Sequence, residues 1–141
     1  MIYCETSSLL KLIWPEPESE DVAMFIANEE EVVVSKLTVL ECEVQLRAGW
    51  LTGYYSKAQF RRQLKRMKAV LATAPFRLES VSGSVFDAAL RQNRASENIH
   101  CRSMDRLHLA AMEVLGIRRL LSHDAKQADA AGAMGYTVVM P

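Results

Sequence analysis

Residues 103–124 read SMDRLHLAAMEVLGIRRLLSHD, and this stretch decides the fold. Ser103 is a candidate N-cap, and Leu107, Ala110, Ala111 and Leu115 then line one side of a helix. Gly116 closes it, because glycine readily takes the left-handed conformation that ends helices. RRLLS (118–122) follows as a short apolar run of strand length. Beyond it, DAKQADAAGAMG (124–135) reads as another helix and YTVVM (136–140) as a last strand. Strands and helices that alternate over such short connections predict a parallel sheet covered by helices.

The same grammar runs back to the start of the chain. Ile2 to Cys4 is a short apolar run, followed by a helical pattern over residues 7–13. WPEPES (14–19) breaks that helix, since Pro15 and Pro17 cannot continue it. Ser19 is a candidate cap for a helix over residues 20–28. EVVVS (31–35) is a β-branched run of strand type, and the helix after it has Leu37, Leu40, Val44 and Leu46 near helical spacing. A long helix follows from about Ser56 to Ala72, stopped by Pro75. FRLESV (76–81) is a third strand or an extended linker, and the stretch after Ser82 or Ser84 is helical. The whole of residues 1–141 reads as one α/β domain with a mostly parallel sheet.

Composition narrows the function classes. Half of the 141 residues are hydrophobic, enough for a sizeable core. Lys plus Arg and Asp plus Glu each number 17, so no global basic field advertises a nucleic acid and any such surface must be local. No apolar run has transmembrane length, and the first residues lack the pattern of a signal peptide. Cys4, Cys42 and Cys101 form no Cys-x-x-Cys pair, which fits reduced thiols and a cytoplasmic setting. Cys4 and Cys42 read as small buried hydrophobes.

Four acids stand at element junctions: Glu5 after the first strand, Glu41 and Asp105 in early helix turns, and Asp124 after RRLLS. An acid in a first helical turn complements the helix dipole, which accounts for any one of them alone. Together they are expected at the C-terminal edge of the sheet, where open α/β sheets bind ligands. Carboxylates so gathered repel one another, and a divalent cation with a preference for oxygen relieves that repulsion.

Four blocks of the chain resemble the PIN-domain family, of the kind found as VapC-type toxins of toxin–antitoxin pairs. They are MIYCETSSLLKLIWPEPES (1–19), VVVSKLTVLECEVQL (32–46), SMDRLHLAAMEVLG (103–116) and LLSHDAKQADAAGAMGYTVVMP (120–141). They stand in family order over essentially the whole chain, and residues 54–98 match only in length and helical character. The resemblance implies a three-layer α/β/α sandwich and a Mg²⁺- or Mn²⁺-dependent endoribonuclease. It makes Glu5, Glu41, Asp105 and Asp124 the acidic set, with Glu5, Asp105 and Asp124 as metal ligands. It also implies an RNA substrate, a cognate antitoxin and a homodimer. The family more often has Asp at the first position, so Glu5 is a departure, compatible with ligation from another rotamer or with a catalytically impaired binding module.

The remaining candidates are less specific. Ser7 either orients a carboxylate by a hydrogen bond or caps the first helix. His108 and His123 read as structural or peripheral, and Asp87 and Asp129 as solvated helix positions. Arg102 and Arg106 flank Asp105, within reach of a scissile phosphate. KAQFRRQLKRMK (57–68) carries six cations and no acid, with Arg61, Lys65 and Lys68 on one stripe. That stripe is a solvated face, an RNA groove or a docking face for an acidic antitoxin segment. Trp14, Trp50, Tyr54 and Tyr55 are open between core, dimer contact and partner groove.

Overall fold

Ile2, Tyr3 and Cys4 form the middle strand of the sheet, and all three are fully buried. The computed structural model describes residues 1–96 and 100–141. In it β1 (Ile2–Cys4) leads to α1 (Thr6–Ile13) and α2 (Ser19–Ala27), and β2 (Val32–Ser35) to α3 (Lys36–Leu51) and α4 (Lys57–Leu71). Next come β3 (Phe76–Glu79), α5 (Gly83–Ala95) and α6 (Ser103–Leu115), then β4 (Arg119–Leu121), α7 (Ala125–Ala133) and β5 (Thr137–Val139). FRLESV thus supplies a strand.

The strand order is β3-β2-β1-β4-β5, and every pairing is parallel. Alternate residues of β1 point to opposite faces, as a strand requires. Tyr3 joins Val33 and Leu120 in a core with Ala88, Leu109 and Ala131 from α5, α6 and α7. Ile2 and Cys4 join Val34 and Leu121 in a second core with Leu9, Val22, Cys42 and Met67 from α1 to α4. The result is the three-layer α/β/α sandwich that the resemblance implies. The chain leaves β1 toward β2 on one side and returns to β4 on the other. The crevice where such a strand order reverses therefore opens above the ends of β1 and β4.

Local details differ from the sequence expectations in three places. Glu18, not Ser19, occupies the N-cap of α2, and Ser19 Oγ instead donates to the Lys11 carbonyl at 2.6 Å. Lys11 Nζ completes this turn by binding Glu16 at 2.7 Å and Glu18 at 2.8 Å, which pairs a nearly buried ammonium. Arg102, not Ser103, is the N-cap of α6, without a side-chain cap bond. On α3 the buried face is Thr38, Cys42 and Leu46, whereas Leu40 and Val44 are 58% and 57% exposed. The small Thr38 and Cys42 side chains face the backbone carbonyls of Cys4 and Thr6, which draws that side of the helix onto β1 and α1. Gly116 ends α6 as expected, at φ 69°. Among the described residues no helix is long and apolar enough to cross a membrane.

Candidate active site

Glu5 follows β1 directly, and its N–H still pairs with the Leu121 carbonyl of β4 at 3.2 Å. Its side chain turns back over α1. Oε2 accepts the Ser7 N–H at 2.9 Å, and Oε1 accepts the Ser8 N–H at 3.3 Å and the Ser7 hydroxyl. The cap of α1 is therefore Glu5 rather than Ser7. Ser7 Oγ also accepts the His123 N–H at 2.7 Å, so it fastens the Glu5 carboxylate to the end of β4.

Asp124 caps α7 in the same manner. Its Oδ1 accepts the N–H groups of Lys126 at 2.9 Å and Gln127 at 3.1 Å. Its Oδ2 accepts from Arg102 Nη2 at 2.6 Å, while Arg102 Nε donates to Asp105 Oδ2 at 2.6 Å. One guanidinium thus bridges two carboxylates. Glu41, in the second turn of α3, has its Oε2 bound by the Thr6 hydroxyl at 2.5 Å and by His108 Nε2 at 2.5 Å.

These four acids come from four separate parts of the chain and line one cavity of about 320 Å³, with Thr6, Ser7, Arg102 and His108 among its other walls. It lies at the C-terminal edge of the sheet, at the β1–β4 crevice. Burial raises the Glu41 carboxyl, but the bonds from His108 and Thr6 outweigh it and leave the group below its ordinary value. Burial likewise raises Asp124, and the Gln127 N–H and the Arg102 guanidinium outweigh it. The bonds from Arg102 to Asp105 and Asp124 raise the guanidinium in turn, so Glu41, Asp124 and Arg102 stay charged at neutral pH.

Among the described residues, no three carboxylate, imidazole or thiol groups stand close enough in this arrangement to hold a metal ion together. The donor set is still anionic and oxygen-only, the chemistry of a hard divalent cation. A guanidinium between two of its members is a stand-in for such a cation. The residues fit a hard divalent cation in kind, and Arg102 now occupies two of the carboxylates that would face it.

The other sequence candidates fall elsewhere. Arg106 does not line the acidic cavity: it is buried, its Nη1 lies 3.5 Å from Met134 Sδ, and it borders a separate cavity with Phe86 and Leu90. Arg102 stands before the helix and folds over Asp105, whereas Arg106, inside the helix, is turned about 100° from Asp105. Arg61 and Lys65 lie on the exposed side of α4. Lys65 borders a cavity of about 700 Å³ with Trp14, Pro15, Arg62 and Arg66, which shares no wall residue with the acidic one. His123 is structural, with Nδ1 2.9 Å from Ser8 Oγ, and Asp87 and Asp129 are exposed. His108, read from sequence as structural or peripheral, touches Glu41, and Thr6, which is not among the sequence candidates, touches it too. The three-residue step from Asp105 to His108, one helical face, is the signal that pointed to it.

A parallel α/β/α sandwich with acids gathered above its switch point defines a class of protein, and comparison with known families agrees. Residues 2–133 match the family described as PIN domain, so the chain belongs to the PIN-domain family. It is similar to the Ribonuclease VapC35 of Mycobacterium tuberculosis, with 28% identity over 147 residues that cover 100% of this chain and 97% of that protein. Its fold is similar to that of M. tuberculosis VapC20, a sarcin–ricin loop cleaving toxin, with a TM-score of 0.75, 17% identity and all of both chains covered. A toxin–antitoxin complex from Klebsiella pneumoniae contains a chain of similar fold, with a TM-score of 0.70, 19% identity and coverage of 100% and 98%.

Proposed function

We propose that this protein is the ribonuclease toxin of a toxin–antitoxin pair, acting in the cytoplasm. The observation that carries the reading is the convergence of Glu5, Glu41, Asp105 and Asp124 on one cavity. The VapC ribonuclease relative and the toxin–antitoxin neighbour support it. Glu5, Asp105 and Asp124 would hold Mg²⁺ or Mn²⁺, with Ser7 orienting Glu5. The bound ion would supply Lewis-acid polarisation of a phosphoryl oxygen and a more acidic water.

The chain's own groups do the rest. Arg102, released from the acids, is long and exposed enough to bind the scissile phosphate through its planar fork. A carboxylate of the set takes the proton of the attacking water. The exposed Arg61 and Lys65 face of α4 would hold RNA backbone or an acidic antitoxin segment. A homodimer would cover Leu40, Val44 and Leu51, which follow one face of α3 and are exposed. The test is cleavage of structured RNAs with Mg²⁺ or Mn²⁺ against EDTA, in the parent and in Asp105→Asn. Cleavage that ignores EDTA or survives the substitution would overturn the reading.

A second reading has its own observation. Glu5 spends its carboxylate as a helix cap, so the fold would also suit a binding module that has lost catalysis. Complete inertness of the parent with metal present, cured by Glu5→Asp, would favour it.

A further inference from the structure

A chain of buried hydrogen bonds stands behind Glu41. Tyr3, fully buried on β1, sends its hydroxyl to the α6 side of the sheet, 2.8 Å from His108 Nδ1 and 2.7 Å from Ser35 Oγ. The His108 ring meets the Tyr3 ring edge-on, with 5.7 Å between centroids, and is 1% exposed. On its other side His108 Nε2 lies 2.5 Å from Glu41 Oε2. The protons in this chain are constrained. A carboxylate has none to give, so Nε2 must carry one and donate it. Burial keeps the Tyr3 phenol protonated, and its hydroxyl donates to Ser35 Oγ while its oxygen lies against His108 Nδ1.

Three elements are tied together by these contacts: β1 through Tyr3, α6 through His108 and α3 through Glu41. Thr6 adds a second donor to the same carboxylate oxygen at 2.5 Å. With Oε2 held twice, no protein donor among the described residues reaches Oε1, and Glu41 borders the acidic cavity.

We infer that Tyr3 and His108 position Glu41, fixing Oε2 so that Oε1 faces the cavity as the acceptor of the attacking water's proton. This rests on the reading of the cavity as a hydrolytic site. In the step concerned, the water oxygen bonds to phosphorus, its proton passes to Glu41 Oε1, and the bond from phosphorus to the leaving ribose oxygen breaks. The leaving oxygen takes a proton from solvent. His108 is a positioning residue: its Nε2 is taken up by Glu41 and its Nδ1 by Tyr3.

Two measurements test it. The first needs no turnover: ¹⁵N spectra of the imidazole in the metal-free protein at neutral pH. Protonated Nε2 on His108 is expected, with a changed Nδ1 signal in Tyr3→Phe; a bare Nε2, or a spectrum indifferent to Tyr3→Phe, overturns the inference. The second is metal-dependent cleavage of a structured RNA. His108→Leu should lower kcat by about 10- to 100-fold, the scale lost when the partner that orients a site ligand is removed, with KM little changed. His108→Gln, which keeps an N–H near the same reach, should recover much of kcat, and Tyr3→Phe should lower it less than His108→Leu. Parent-like kcat in a folded His108→Leu overturns the inference and leaves the hydrolytic reading standing. An inert parent, or Glu41→Gln cleaving as the parent does, overturns the hydrolytic reading and the role given to Oε1 together.

Discussion

The carboxylate of Glu5 accepts the backbone N–H of Ser7 at 2.9 Å, two residues along its own chain. Glu rarely serves as a helix cap, because Asp, Asn, Ser and Thr hold the short reach that the geometry asks for. Here the longer side chain folds back to do it. Glu5→Asp keeps the charge and the cap with one methylene less. It is expected to cleave RNA at least as well as the parent with Mn²⁺ present. Glu5→Ala should lose more than about 100-fold, the scale seen when a group stabilising transition-state charge is deleted. Initial rates on one structured RNA check both.

Arg102 neutralises Asp105 and Asp124 in the same place that a divalent cation would. Arg102→Ala should therefore melt earlier than the parent in EDTA, as two acids lose their shared counter-charge. Its melting temperature should rise more steeply with added Mn²⁺ than the parent's. A ligand at a hundred times its Kd stabilises the folded state by about 2.7 kcal/mol, which is several degrees for a domain of this size. Asp105→Asn should respond less than the parent. Thermal melts over a Mn²⁺ series give all three curves.

Acid should destabilise the fold through Glu41 and Glu29. Bonds to Arg119 hold Glu29 below its ordinary value of 4.5, and bonds from His108 and Thr6 outweigh burial at Glu41 to the same effect. Both carboxyls release their protons more readily folded than unfolded, so unfolding takes up protons. Their stabilisation is full above about pH 5 and drains away as pH falls through their folded values, which lie below 4.5. Melts from pH 7 to pH 3 should show that decline, and Glu29→Gln should flatten part of it while lowering stability at pH 7.

The exposed side of α3 carries Leu40, Val44 and Leu51. If a second copy covers it, Val44→Glu should shift the protein from dimer to monomer in sedimentation equilibrium without unfolding it. A parent that sediments as a monomer at high concentration excludes the homodimer.

Much of this architecture was legible because its signals are local. The acids sit at strand ends and helix starts, and a parallel topology carries such junctions to one edge wherever the helices pack. Leu40 and Val44 misled for the opposite reason: helical spacing shows that a face is apolar, not that another element covers it. The grip of His108 on Glu41 spans 67 residues and depends on Tyr3, 105 residues away from His108. The reach of Arg102 to Asp124 depends on a side chain folding over the start of α6. No pattern within a short window encodes contacts of that range.

The position of β1 in the middle of the sheet has a consequence for a growing chain on the ribosome. β1 precedes its partner β4 by most of the domain, and its second edge stays unpaired until β4 has been made. Glu5 leans on Leu121 and, through Ser7, on His123, and Asp124 arrives only after both. A nascent chain that stops short of β4 owns Glu5 and Glu41 but no finished cavity. The cavity proposed as the nuclease site is therefore assembled only after β4 has been made.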